Sequence, residues 1–322
     1  MPKDIKRYSY SRLDAFKTCP KKHHYLYVEQ LPEPENEYAL KGTLFHKAIE
    51  KILKGKDIDP VYKEWEEAVD LGKIYADRDQ LEYSVNMYFS HYYHDYQKEN
   101  TLAVEQEFTR DLENDDYFVG RVDQVYEKNE IVVIRDTKTS SGPLKYDHDK
   151  VKTNTQLLSY VEPIENILNR TVNAIEIDEV RLAKLDTEVP LIKNGKPSKS
   201  LDVLSLTTAE LYRNELEKQN LIEDSGYANV LYLLEQRGHP LFNRTIVQLS
   251  NRNILDTTNK EINSMYLGAS LDIEYRIKDQ AKCFRCTFKN ICEHDEYGIG
   301  NMLREKMINN WFYLLHYVAY SV

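Results

Sequence analysis

Asp136 and Lys138 stand at the end of the stretch IVVIRDTKTS, residues 131–140, where four apolar β-formers run straight into charge with no glycine or proline between. Side chains two apart on a strand point to the same face, so the acid and the lysine share one. An acid fixed there can carry a metal, and a lysine beside it can steady negative charge that develops during a reaction. Asp123, in GRVDQV, falls at a comparable place in the preceding apolar run. If the two runs pair antiparallel in suitable register, its carboxylate joins the other two groups. Two carboxylates converging on one point repel unless a cation lies between them, and a hard divalent ion is the economical choice. The same residues are also satisfied by a plain ion pair of Lys138 with either aspartate.

The elements that must position these groups are legible from periodicity. YSYSRLDAFKTCPKKHHYLYVEQL reads as a helix capped by Ser9 or Ser11, interrupted at Cys19-Pro20 and followed by a second amphipathic stretch. In ALKGTLFHKAIEKILKG, Leu40, Leu44, Phe45, Ala48, Ile49 and Leu53 form an apolar stripe that Gly55 ends, with His46 beside it. Residues 61–98 read as helices whose many tyrosines pack. TLAVEQEFTRDL, DYFVGRVDQVYE and EIVVIRDTKT alternate as strands across short turns, which predicts a three-stranded antiparallel meander. A helix containing QLLSY follows, placing Gln156 and Tyr160 on one face, and then the strand AIEIDEVRL. Residues 186–280 fit this plan poorly and read as a helical insertion.

A chain of 322 residues can bury a substantial core, and 41% hydrophobic with 30% charged residues is ordinary for a soluble protein. No segment has the apolar length of a membrane span, and MPKDIKRYSYSR has no apolar signal region, so the expected location is cytoplasmic. The net charge of -10 argues against a protein that coats nucleic acid over its whole surface, but not against a local basic track. Residues 1–31 carry such an excess, with Lys17, Lys21 and Lys22 close together.

Cys19 stands near the start, and Cys283, Cys286 and Cys292 stand more than 260 residues later. In a cytosolic chain a C-x2-C pair points to metal or redox chemistry before disulfides. If all four bind one centre, the two ends of the chain meet. Four thiolates suit a [4Fe-4S] cluster or zinc, and spacing does not separate the two.

Taken in order, GTLFH (Gly42–His46), GRVD (Gly120–Asp123), RDTK (Arg135–Lys138) and QLLSY (Gln156–Tyr160) resemble the PD-(D/E)XK nucleases of the RecB-like branch. The resemblance covers roughly residues 8–185 and resumes at 281–293. It implies an α/β, restriction-endonuclease-like core with a mixed central sheet flanked by helices. His46, Asp123, Asp136 and the Thr137 carbonyl would be metal ligands, Lys138 the catalytic lysine, and Gln156 and Tyr160 neighbours of the site that touch substrate. Arg135 replaces the proline of the family's name. An imidazole ligand makes Mn2+ serve at least as well as Mg2+.

One Cys before the core and C-x2-C-x5-C after it resemble the iron-sulfur exonucleases of the AddB type and their CRISPR-associated relatives. That favours iron over zinc, in a clasp joining the two chain ends. The implied organisation is a nuclease core at 1–185, an insertion at 186–280, and a cluster-binding segment with an apolar tail at 281–322. The apolar tail, too short to span a bilayer, offers a seat for a protein partner or a second copy. The implied activity is exonucleolytic attack on single-stranded or free DNA ends, 5' to 3', in recombination, repair or phage DNA metabolism, with Lys17, Lys21 and Lys22 contacting DNA. A structure-specific endonuclease and a non-catalytic DNA-binding scaffold subunit are the alternatives.

Overall fold

Ser9 opens the regular structure. Its hydroxyl accepts the Arg12 N–H at 3.3 Å, ending strand β1 (Arg7–Ser9) and capping helix α1 (Tyr10–Thr18). Pro20 occupies the first turn of α2 (Pro20–His23), where a missing N–H removes no helix bond, and a π-helical turn follows over His24–Val28. Helix α3 (Glu37–Leu53) starts at Asn36, whose side chain accepts the Tyr38 N–H, and buries Leu44, Phe45, Ala48 and Ile49. Then come α4 (Asp59–Asp70), α5 (Arg78–His91) and α6 (Tyr93–Tyr96). Strands β2 (Asn100–Asp111), β3 (Tyr117–Lys128) and β4 (Ile131–Thr139) precede α7 (His148–Lys152), α8 (Thr155–Leu168) and β5 (Ala174–Val180). The remainder comprises the two-residue strands β6 (Ile192–Lys193) and β7 (Lys196–Pro197), α9 (Ala209–Lys218), α10 (Ser225–Gln236), β8 (Phe242–Gln248), α11 (Asn253–Ser270) and α12 (Lys289–Asp295).

This computed structural model describes residues 6–33, 36–140, 142–183, 192–193, 196–197, 207–223, 225–236, 241–271, 276, 283–284 and 286–295. The apolar tail expected to seat a partner lies outside the described residues. No described helix is long and apolar enough to cross a membrane.

The strands form a mixed six-stranded sheet in the order β1-β3-β4-β5-β8, with β2 also paired to β3. β3 and β4 are antiparallel, as the expected meander requires, with Gln124 opposite Arg135. β4 and β5 are parallel, joined by the crossover that contains α7 and α8. Residues 132–137 of β4 and all of β5 are buried, which is why β4 begins as an unbroken apolar run. A mixed sheet flanked by helices is consistent with a restriction-endonuclease-like fold. β8 pairs antiparallel with β5, so part of the stretch expected as a helical insertion belongs to the central sheet.

Contacts divide the chain into two units: Met1–Glu35, Glu107–Gly120 and Arg252–Val322 in one, Asn36–Gln106 and Arg121–Asn251 in the other. These cuts do not follow the expected boundaries at 185 and 280. In the first unit β1 pairs parallel with Tyr117–Val119. The Phe16 ring of α1 closes over Gly268 of α11, where a Cβ would stand 2.4 Å from the ring edge. In the second, the α3 stripe packs with Trp65, Leu81, Val85 and Tyr88 into one core, confirming the packing role expected of the aromatic-rich helices.

Candidate active site

Gly42 sets the distance between α3 and β4. A Cβ on it would meet Thr139 Oγ1 at 2.4 Å, so only glycine lets this turn of the helix approach the end of the strand. One turn further on, His46 Nδ1 stands 3.4 Å from Asp123 Oδ2. The β3–β4 ladder runs to Gln124 opposite Arg135; beyond it, Asp123 Oδ2 accepts the Thr137 N–H at 2.7 Å. Asp136 is buried, and its Oδ2 lies 2.7 Å from Lys138 Nζ. Lys138 also donates to Gln156 Oε1 at 2.9 Å, and Gln156 Nε2 donates to the Tyr160 hydroxyl at 3.1 Å. His46, Asp123, Thr137, Asp136, Lys138, Gln156 and Tyr160 therefore come together around the ends of two strands and the faces of two helices, in the second unit.

The electrostatics follow from burial and crowding. Burial disfavours the Asp136 carboxylate, and Asp123 beside it adds repulsion, so its pKa is pushed up to about 6 although Lys138 works against the rise. For Asp123 burial also acts upward, but the His46 hydrogen bond, its charge and the Thr137 N–H outweigh it and leave the carboxyl below its ordinary value. Burial works against protonated His46 and Lys138, yet the two aspartates hold both above their usual values. Tyr160, buried beside Gln156, is pushed up to about 12.

The sequence model of the PD-(D/E)XK nuclease superfamily matches residues 7–293. The chain belongs to the PD-(D/E)XK nuclease superfamily. A search of curated proteins returns no match. The solved structure described as "Crystal structure of SSO0001" aligns over 88% of this chain and 94% of that one, at 12% identity and a TM-score of 0.31. At that TM-score the likeness carries no weight for fold or function.

Members of this superfamily usually use Mg2+ or Mn2+, and the donor set of this PD-(D/E)XK chain fits such an ion. It offers one imidazole and two carboxylates, and among the described residues the buried Asp136 Oδ2 has no partner apart from the Lys138 ammonium. Among the described residues no three His, Cys, Asp or Glu side chains are gathered ready to hold an ion. Here the donors are closed pairwise instead, His46 on Asp123 and Asp136 on Lys138. A solvent-open pocket of about 270 Å3 reaches His46, Asp123 and Thr137, with Glu50 and Glu105 on its wall. Glu105 has a left-handed φ of 54° in β2 and pairs with Arg121 at 2.6 Å. Burial and the nearby Asp123 raise its pKa.

Sequence reading passed over the face of β4 opposite this site. Arg135, standing where the family name has proline, is fully buried and donates to Glu176, to both oxygens of Glu99 (2.7 and 2.9 Å) and to Gln124 (2.7 Å). Its guanidinium lies 4.4 Å from the Tyr126 ring centre, and the Tyr126 hydroxyl donates to Glu176 at 2.8 Å. Next to this group Arg244 of β8 holds Asp178 of β5 at 2.6 Å. The alternation of β4 was the available signal, since it puts Arg135 on the face away from Asp136.

In the first unit of this superfamily member, Cys19, Cys283, Cys286 and Cys292 line one pocket of about 320 Å3, together with Lys21, Lys22, Arg276 and Lys289. All four cysteines are free of disulfides. Burial raises the Cys292 pKa, the other three thiols add to the rise, and Arg276 opposes it. Tyr25, Leu31, Phe288 and Ile291 form the core behind the pocket, against Cys286 and Cys292. Of the three lysines expected to contact DNA, Lys17 pairs with Glu261 at 2.6 Å and Lys22 lies 3.5 Å from Glu33. Lys21 lies over the Tyr25 ring.

Proposed function

We propose that this chain is a metal-dependent deoxyribonuclease of the RecB-like branch, an exonuclease that hydrolyses phosphodiester bonds at single-stranded DNA ends, running 5' to 3', in recombination, repair or phage DNA metabolism. The observation that carries this is Lys138 Nζ, held between Asp136 Oδ2 and Gln156 Oε1 while Asp123 and His46 meet beside it. An ammonium kept charged by buried carboxylates suits a reaction that builds negative charge on phosphoryl oxygens. His46, Asp123, Asp136 and the Thr137 carbonyl would hold Mg2+ or Mn2+. Bound, the ion supplies a polarised phosphoryl oxygen and a more acidic water. The protein's own part is to present the ammonium, with Gln156 aiming Lys138 and Tyr160 aiming Gln156.

To the four cysteines we assign a [4Fe-4S] cluster, with zinc as the less favoured occupant. A four-thiolate centre leaves net negative charge, and Lys21, Lys22, Arg276 and Lys289 around the pocket would balance it. Lys17, Lys21 and Lys22 remain the proposed basic track for DNA. The test is incubation of anaerobically purified protein with end-labelled single- and double-stranded DNA in Mg2+, Mn2+ or EDTA. Metal-dependent shortening of single strands from one end is expected; no cleavage of any DNA with either ion would remove the reading.

A further inference from the structure

Glu179 is a fully buried carboxylate to which the reaction above gives no task. It is the in-register neighbour of Lys138 in the β4–β5 ladder, and so faces the same side of the sheet. Its oxygens take the Lys145 N–H between them at 2.9 and 2.8 Å, and one also takes the Tyr146 N–H at 2.9 Å. The carbonyls of these two residues are held as well. Lys145 O accepts from Lys150 Nζ at 2.6 Å, and Tyr146 O accepts from Asn243 Nδ2 at 2.8 Å and Thr245 Oγ1 at 3.1 Å.

Burying a carboxylate is costly unless its oxygens are satisfied. This one is spent on the main chain of a loop, not on the core. What the anchoring fixes is where two side chains point. Lys145 is exposed and Tyr146 half-buried, with Lys145 Nζ 5.5 Å from the Tyr146 ring centre. Glu179, which takes the Tyr146 N–H, is the in-register neighbour of Lys138 on the same face of the sheet, so the loop runs beside the reactive lysine. A ring with a cation over one face, on a loop held beside a reactive ammonium, has its other face to offer a base.

Resting on the nuclease reading, we propose that Tyr146 is a platform on which an unpaired base of the nucleic-acid strand stacks beside the phosphate to be cleaved, with Lys145 meeting a flanking phosphate. The test uses an Asp136→Asn background, so that binding is read without cleavage, and single strands carrying 2-aminopurine, whose fluorescence is quenched by stacking. Tyr146→Leu is expected to weaken binding about tenfold and to remove the quench, while Tyr146→Phe keeps both. Asn243→Ala, which loosens the Tyr146 carbonyl, should lose less in the same direction. The loss should be larger on single strands than on blunt duplex, which offers no unpaired base. Affinity of Tyr146→Leu within twofold of its background, a Phe variant as weak as Leu, or an equal loss on duplex would each overturn the platform. Cleavage by the unaltered protein decides the nuclease reading separately: if it cuts while Tyr146→Leu binds like its background, only the platform falls, and if it neither cuts nor binds, both fall.

Discussion

At the scale of single residues, the site is a set of charges stable only in one another's company. Lys138→Ala removes the ammonium that balances buried Asp136 and steadies the developing charge. Cleavage is expected to fall by about 100-fold or more in a gel assay of labelled single strands, with the far-UV circular dichroism unchanged. Asp136 also carries a pH signature. Its carboxyl is raised in the fold to about 6 from an ordinary 3.8, so what it contributes to stability is fully present below the ordinary value and is lost as pH rises through about 6. In metal-free protein Asp136→Asn, uncharged throughout, should therefore match the parent near pH 4 and gain on it by up to about 3 kcal/mol at pH 8. Urea midpoints in EDTA at both pH values check this, and a gain that shrinks with rising pH would contradict it. Asp123, Asp136 and Lys138 were readable as a set because strand alternation gives them a shared face. His46 was readable only through family resemblance, since one histidine beside an apolar stripe carries no signal of its own. Glu179 and Tyr146 were not readable, because a loop clamped by a distant carboxylate leaves no period in the sequence.

At the scale of elements, β4 divides its two faces between chemistry and support. Asp136 and Lys138 face the site, while Arg135 anchors the strand from behind through Glu176, Glu99 and Gln124. Truncating one member of such a network leaves buried carboxylates without a counter-charge. Arg135→Ala should lower stability by about 3–5 kcal/mol, read from chemical denaturation, and a change under about 1 kcal/mol would mean the network is dispensable. The helix α3 and the strands β3 and β4 were legible because their periods are unmixed. β8 was not: it lies at the sheet's edge, its residues Asn243, Arg244 and Thr245 are only half-buried, and FNRTIVQ shows too little alternation to read as a strand. Tertiary pairing with β5, not local preference, makes it one.

At the scale of the whole chain, the cysteine pocket depends on residues from near both ends. If the cluster assignment holds, Cys19→Ser should lower the iron content and the melting temperature together and reduce brown absorbance in the visible range, the loss of a cross-link over so long a loop being felt mainly by the unfolded chain. Full iron content in that variant would exclude Cys19 as a ligand. The meeting of the ends also has a consequence for how the protein is made. During synthesis Cys19 leaves the ribosome long before Cys283, Cys286 and Cys292, and Phe288 and Ile291, which close the core behind them, arrive late as well. The segment around Cys19 is therefore made well before its partner surface, with Tyr25 and Leu31 uncovered until Phe288 and Ile291 emerge. A nascent chain stalled before residue 283 would carry the full His46, Asp123, Asp136 and Lys138 set while its first thiol still waited for the other three.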